Sequence, residues 1–161
     1  MTTAQIAYGS AVTPAKTAIN ALASDTTGLA GAGCAAVSNA TVLAVDYQIE
    51  FTFTMSGTAP TAGKQISIYM YSRVDGSNYT GGANGTDSTQ TFVAEQLALL
   101  QFLIAKQTNA TASAKYSIVI PSLLALAGNI PTTFGFWVNQ STGQTFAAAT
   151  ITLTPITYTN T

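Results

Sequence analysis

Apolar and polar residues alternate along much of the chain, most clearly over Val45-Asp46-Tyr47-Gln48-Ile49-Glu50-Phe51-Thr52-Phe53-Thr54-Met55, where every odd position is apolar. A period of two over that length predicts a long antiparallel strand with one face in the core. Ile66, Ile68 and Met70 alternate with Ser67, Tyr69 and Tyr71, and Tyr116, Ile118 and Ile120 repeat the pattern before Pro121, which predicts two more strands. Near the C-terminus, Phe134–Val138 and Thr150–Thr154 are strand-like, and the turn residues Asn139-Gln140-Ser141-Thr142-Gly143 between them predict a hairpin. The inter-sheet core is expected to hold Ile49, Phe51, Phe53, Ile66, Ile68, Ile118, Ile120, Phe134 and Phe136.

Weaker signals fill the gaps. Thr17–Ala23 and Ala32–Val37 have small apolar residues and are expected as strands, because Asp25-Thr26-Thr27-Gly28 and Asn39 punctuate them. Leu97–Ala105 has helical composition but the length of a fully buried strand, and is assigned as strand. Ser122–Gly128 follows a proline and ends in glycine, so one or two helical turns are expected to plug one end of the fold. From Asp75 to Thr91, four glycines with Asn78, Asn84 and Asp87 describe a surface loop. The sum is an all-β fold, a two-sheet antiparallel sandwich with a jelly roll of about eight strands as its expected version and one short helical segment.

Length and composition narrow the function. The 161 residues suit a single domain, 1–161, with residues 1–16 as an extended N-terminal segment. Only 7% of residues are charged, five basic against six acidic, so no nucleic-acid-binding basic face is expected. There is no histidine, which removes the Ser-His-Asp triad, the Cys-His dyad and any His-containing zinc site. Cys34 stands alone and is most simply a small buried residue. No apolar run approaches the roughly 18 residues of a membrane helix, so no membrane partner is expected. The N-terminal residues lack the charged and apolar regions of a signal peptide, which predicts a product kept in the cytoplasm. The five N-x-S/T sequons, at Asn39, Asn78, Asn84, Asn109 and Asn139, are then chance matches in a chain rich in Asn and Thr.

Candidate chemistry is sparse. Asp46 and Glu50 lie four apart on one strand face, roughly 13 Å at about 3.3 Å per residue, beyond the ~5 to 9.5 Å that paired carboxylates use in glycosidases. Asp75-Gly76-Ser77-Asn78-Tyr79 misses the EF-hand spacing, and no phosphate-binding glycine motif occurs. No catalytic residue, metal site or cofactor is expected, which favours a structural or binding protein over an enzyme. The aromatic residues divide by alternation: Phe134 and Phe136 on the core face, Trp137 on the opposite one. Tyr71, Asp75, Asn78, Tyr79, Asn84, Asp87 and Trp137 are the candidate interface residues.

Several segments carry a family resemblance. Tyr8-Gly9-Ser10, Ile19-Asn20-Ala21-Leu22-Ala23-Ser24, the strand from Asn39 to Phe53 and Gln65–Tyr71 are followed in order by Asp75–Tyr79, Gly85-Thr86-Asp87 and Ile130–Gly143. Taken together these resemble small virion structural proteins of tailed bacteriophages. The likeness breaks at Gly31-Ala32-Gly33-Cys34-Ala35, which is uncharged where such proteins have an Arg-Glu pair. It implies a non-enzymatic part of the virion, assembled in the host cytoplasm, with capsid decoration or cement the first expectation. The implied partners are the major capsid protein or other virion proteins, in many copies per particle or as a homo-oligomer. Thr-rich Ile151–Tyr158 is expected as an edge strand that would extend a neighbour's sheet by strand addition. The alternatives are a tail-associated or fibre-like adhesin, whose Asp75–Thr91 loop would touch a glycan, and a carbohydrate-binding module.

Overall fold

A computed structural model describes residues 4–160. These form ten strands: β1 (Ala4–Tyr8), β2 (Ala30–Gly33), β3 (Val37–Ser38), β4 (Asp46–Met55), β5 (Gln65–Ser72), β6 (Ser88–Thr91), β7 (Gln101–Gln107), β8 (Lys115–Ile120), β9 (Thr133–Gln140) and β10 (Phe146–Asn160). Three short helices, α1 (Thr17–Asn20), α2 (Ala94–Leu97) and α3 (Leu123–Ala127), and a 3₁₀ turn at Thr80–Gly82 complete the chain.

One sheet has the order β1-β10-β4-β8 and the other β6-β2-β9-β5-β7, with β3 also on β9; every pairing is antiparallel. Leaving aside the two-residue β3 and the four-residue β6, the remaining eight strands counted along the chain fall first-eighth-third-sixth and second-seventh-fourth-fifth. That order is the jelly roll. The core lies between the sheets, and all nine residues expected there are buried in it. Phe51 of β4 and Phe136 of β9 meet edge to face across the gap, with ring centroids 5.1 Å apart.

Several elements differ from the sequence expectation. Phe134–Val138 and Thr150–Thr154 belong to different sheets, so they are successive strands joined by a crossing of the sandwich and not a hairpin. A five-residue link serves either purpose; here β9 pairs with β5 and β2, while β10 runs ten residues alongside β4. Nor is Ile151–Tyr158 an edge. β10 lies between β4 and β1, and beyond β1 the backbone of Gly9 and Val12 continues to bond Pro155 and Leu153.

Thr17–Asn20 is a helical turn. The carboxylate of Asp87, 70 residues further on, accepts the N–H of Thr17 at 2.6 Å and of Ala18 at 2.8 Å, satisfying donors that a helix start leaves free. Ala32–Val37 is divided between β2 and β3, because the N–H groups of Cys34, Ala35 and Ala36 go to Phe136, Ala15 and Gly85. Leu97–Ala105 is likewise divided: its first residue ends α2, and β7 begins at Gln101 with Phe102 exposed. α3 is where expected, with the Ser122 hydroxyl accepting the Ala125 N–H and Gly128 closing the helix at φ 80°. It inserts Leu123 into the core and is tied to β4 by the Leu124 N–H, which donates to Asp46 at 2.8 Å.

Candidate functional site

Of the candidate interface residues, Tyr71, Tyr79 and Trp137 gather on the outer face of the β6-β2-β9-β5-β7 sheet, while Asp75, Asn78, Asn84 and Asp87 lie along the segment from Arg73 to Leu100, part of which packs over those rings. Alternation along β9 and β5 turns Trp137, Tyr69 and Tyr71 to this face. They are not left open to solvent. Trp137 and Tyr71 are buried with Ala83, Phe92 and Leu100 in a second apolar cluster, separate from the inter-sheet core. Phe92 and Tyr69 each meet the indole edge to face, with ring centroids 5.2 and 5.4 Å away.

Glycines on the sheet make room for these rings. A Cβ on Gly31 would lie 2.5 Å from the indole, and one on Gly135 would overlap the Tyr71 ring. The Tyr71 hydroxyl donates to the Cys34 carbonyl, and burial pushes its pKa well above the ordinary tyrosine value. Cys34 is buried as expected; burial pushes its thiol up to about 12, outweighing the Phe136 N–H that donates to sulfur at 3.3 Å. A thiol so protonated is not a nucleophile at neutral pH.

The polar candidates shape the covering segment. Asp75 Oδ1 accepts the N–H of Ser77 and Asn78, and both its carboxylate oxygens accept the Asn78 amide at 2.9 Å, closing an exposed turn. Those bonds from Asn78 and Ser77 lower the Asp75 pKa. Tyr79 is half-buried against Tyr71, with Arg73 over its ring at 5.5 Å, and Arg73 also donates to its hydroxyl at 3.2 Å. Asn84 accepts the Thr86 N–H and donates to the Ser88 hydroxyl at 2.7 Å. Asp87 is engaged by α1. The expected surface loop therefore contains the Thr80–Gly82 turn, then β6, and works as a cover for an aromatic layer.

The carboxylates considered for catalysis stay apart. Asp46 accepts the N–H groups of Tyr47 and Leu124, while Glu50 is exposed and paired in register with Thr152 and Val119. Among the described residues, no three of His, Cys, Asp and Glu come together as a metal would require. Asn39 and Asn139 of the sequons are buried, and both amides are spent on local structure.

Asp25, which the sequence marked only as turn punctuation, is a hub. Its carboxylate accepts the N–H groups of Thr27, Leu29 and Ala30 and the Thr27 hydroxyl, at 2.8 to 3.1 Å. Burial acts to raise its pKa, but these donors prevail and hold it at about 2. The exposed apolar residues were also missed. Leu99, Phe102, Val119, Leu124 and Leu126 lie exposed on β7, β8, α3 and the turn before β7. Between Ile104 of β7, Val119 of β8 and Leu126 of α3 runs an apolar groove of about 300 Å³. Alternation marked Val119 as outward-facing, but nothing local showed that α3 would meet it there. No family model matches the chain, and no curated protein matches it.

Proposed function

We propose that the chain is a non-enzymatic structural protein of a tailed-bacteriophage virion, a decoration or cement subunit seated on the capsid shell. The resemblance of its ordered segments to small virion proteins supports this reading, and so does the character of the surface. The observation that carries it is the groove between β7, β8 and α3, where exposed Val119 and Leu126 join Ile104 in an apolar lining. Contiguous exposed apolar surface marks a protein contact, and a sandwich locked by two apolar clusters is a stiff body to present it. The groove is lined mainly by apolar atoms, and its one hydroxyl side chain, Ser122, caps α3 through the Ala125 N–H. A shell subunit of this kind works by filling seams between neighbours.

Tyr71 and Trp137 are buried and offer no exposed ring face on which the sugar of a carbohydrate-binding module would stack, while the adhesin reading rests on the Asp75–Thr91 loop. Copy number per purified particle, by quantitative mass spectrometry against the major capsid protein, tests the reading. Hundreds of copies are expected; a dozen or fewer would move the protein to the tail, and its absence from particles would end the virion reading.

A further inference from the structure

The edges of a β-sheet expose unpaired backbone N–H and C=O groups, and proteins keep other chains off them with charges, prolines, bulges or short strands. Three of the four edges here are guarded in that way. β8 carries Lys115 and is followed by Pro121; β7 carries Lys106 and a register shift against β5; β6 has four residues. β1 has no such device. Ala4-Gln5-Ile6-Ala7-Tyr8 holds no charge, proline or glycine and pairs with β10 over five consecutive positions without a shift.

Its side chains add an apolar face. Ile6 and Tyr8 are 63% and 67% exposed, and Tyr158, directly opposite Ile6, is 64% exposed. Paired residues share a face, so Ile6, Tyr8, Ile156 and Tyr158 form one stripe. β4 starts at Asp46, opposite Ile156, so Thr157–Asn160 and their partners in β1 project beyond it as a two-stranded ribbon.

We propose that β1 pairs antiparallel with β1 of a second copy of this chain, about a two-fold axis through Ile6, joining two four-stranded sheets into one. The strand fits itself. About that axis Ala4 of one copy faces Tyr8 of the other and Gln5 faces Ala7, so each bulky ring meets a methyl group, and the two Ile6 side chains meet at the centre. Charge points to the same occupant. Among the described residues the nearest charge in the paired register is Asp46, beside Ile156, so two copies of β1 meet without like charges, while a charged foreign strand would find no counter-charge there. An isologous contact of this kind closes as a dimer. Five residues bury less than the ~1,200 to 2,000 Å² of a stable complex, which makes the pairing a reversible equilibrium. The inference does not depend on the virion reading, since the edge is present whatever particle the chain joins.

Sedimentation equilibrium of the full chain, from about 1 μM to about 1 mM, tests it across a range spanning weak affinities. The expected weight-average mass rises with concentration toward twice the monomer. Ile6→Lys, at an exposed position, should stay monomeric throughout with an unchanged melting temperature, and Val119→Lys on the β8 edge should associate like the wild type. Amide exchange should slow in β1 with rising concentration, which reports the edge independently should Ile6→Lys disturb folding. A wild type that stays monomeric to about 1 mM, a mass passing the dimer, a folded Ile6→Lys that associates normally, or loss of association in Val119→Lys would each overturn the proposal.

Discussion

The indole of Trp137 lies against the backbone of Gly31, leaving no space for a side chain: a Cβ at position 31 would sit 2.5 Å from the ring atom Cζ2 and closer still to the Val138 carbonyl oxygen. The two strands bearing them are neighbours in the sheet, with Gly33 of β2 paired to Trp137 itself. Gly31→Ala should therefore lower stability by about 1 to 3 kcal/mol, as overpacking of a filled site does. Gly57 is the control, since a Cβ there meets nothing within 4 Å. Gly57→Ala should leave stability unchanged or raise it by up to ~1 kcal/mol through the unfolded chain. Urea melts of both variants give the comparison, and equal losses would mean that the ring is free to move off the sheet.

The inter-sheet contact gives a second expectation. Phe51 and Phe136 are fully buried, and their rings meet edge to face from opposite sheets. Replacing either with Ala should cost about 3 to 5 kcal/mol, a large part of the ~5 to 15 kcal/mol that holds an ordinary domain together. A double-mutant cycle should leave a coupling of roughly 0.5 to 1.5 kcal/mol for the aromatic pair. Additive losses would show that each ring packs independently of the other.

How far the sequence disclosed this arrangement depends on the range of the interaction. Where one residue's neighbours two positions away share its fate, as from Tyr47 to Met55, alternation found both the strand and its buried face. The same rule placed Trp137 opposite Phe134 and Phe136, and the structure agrees. What alternation cannot show is the cover. Trp137, on the face of β9 turned away from the inter-sheet core, is buried because Ala83, Phe92 and Leu100 of a segment beginning at Arg73 pack over it, and that burial is settled by distant chain. The same cause explains α1, whose cap comes from Asp87, and the β9–β10 crossing, where a short link leaves the choice of sheet to β4 and β5. Of the candidate residues, the exposed turn at Asp75 and Asn78 was legible because side chain and backbone lie within three positions. The groove at α3 was not, since three separate elements build it.

Asp25 makes stability depend on acid. Its folded pKa of about 2 lies below the ordinary value of 3.8, so in that interval the unfolded chain binds more protons than the folded one. The contribution of this carboxylate is thus complete above about pH 4 and is lost as pH falls toward 2. Asp25→Asn keeps a carbonyl oxygen for the Ala30 and Leu29 N–H groups but removes the charge. The variant should be less stable than the wild type at pH 6, and the gap should close by pH 2. Melting temperatures of both chains across that range decide the matter, and a constant difference would mean that the carboxylate titrates as an ordinary aspartate.

Charge also limits how a protein of this composition holds a shell. With five basic and six acidic side chains in all, an interface of standard size on this chain cannot consist mainly of ion pairs. The exposed residues that line the α3 groove, Val119 and Leu126, are apolar, and such contacts weaken little with salt. If the chain sits on the capsid as proposed, it should stay bound when salt rises from ~0.1 M to ~1 M, where the Debye length falls from about 10 Å to about 3 Å and exposed charge pairs are screened. Urea, which solvates apolar surface, should release it. Particles washed under each condition and quantified by gel give the answer. Release by salt alone would place the attachment on Lys64, Arg73, Lys106 and Lys115 with acidic partners on the shell, and the apolar account of the contact would fail.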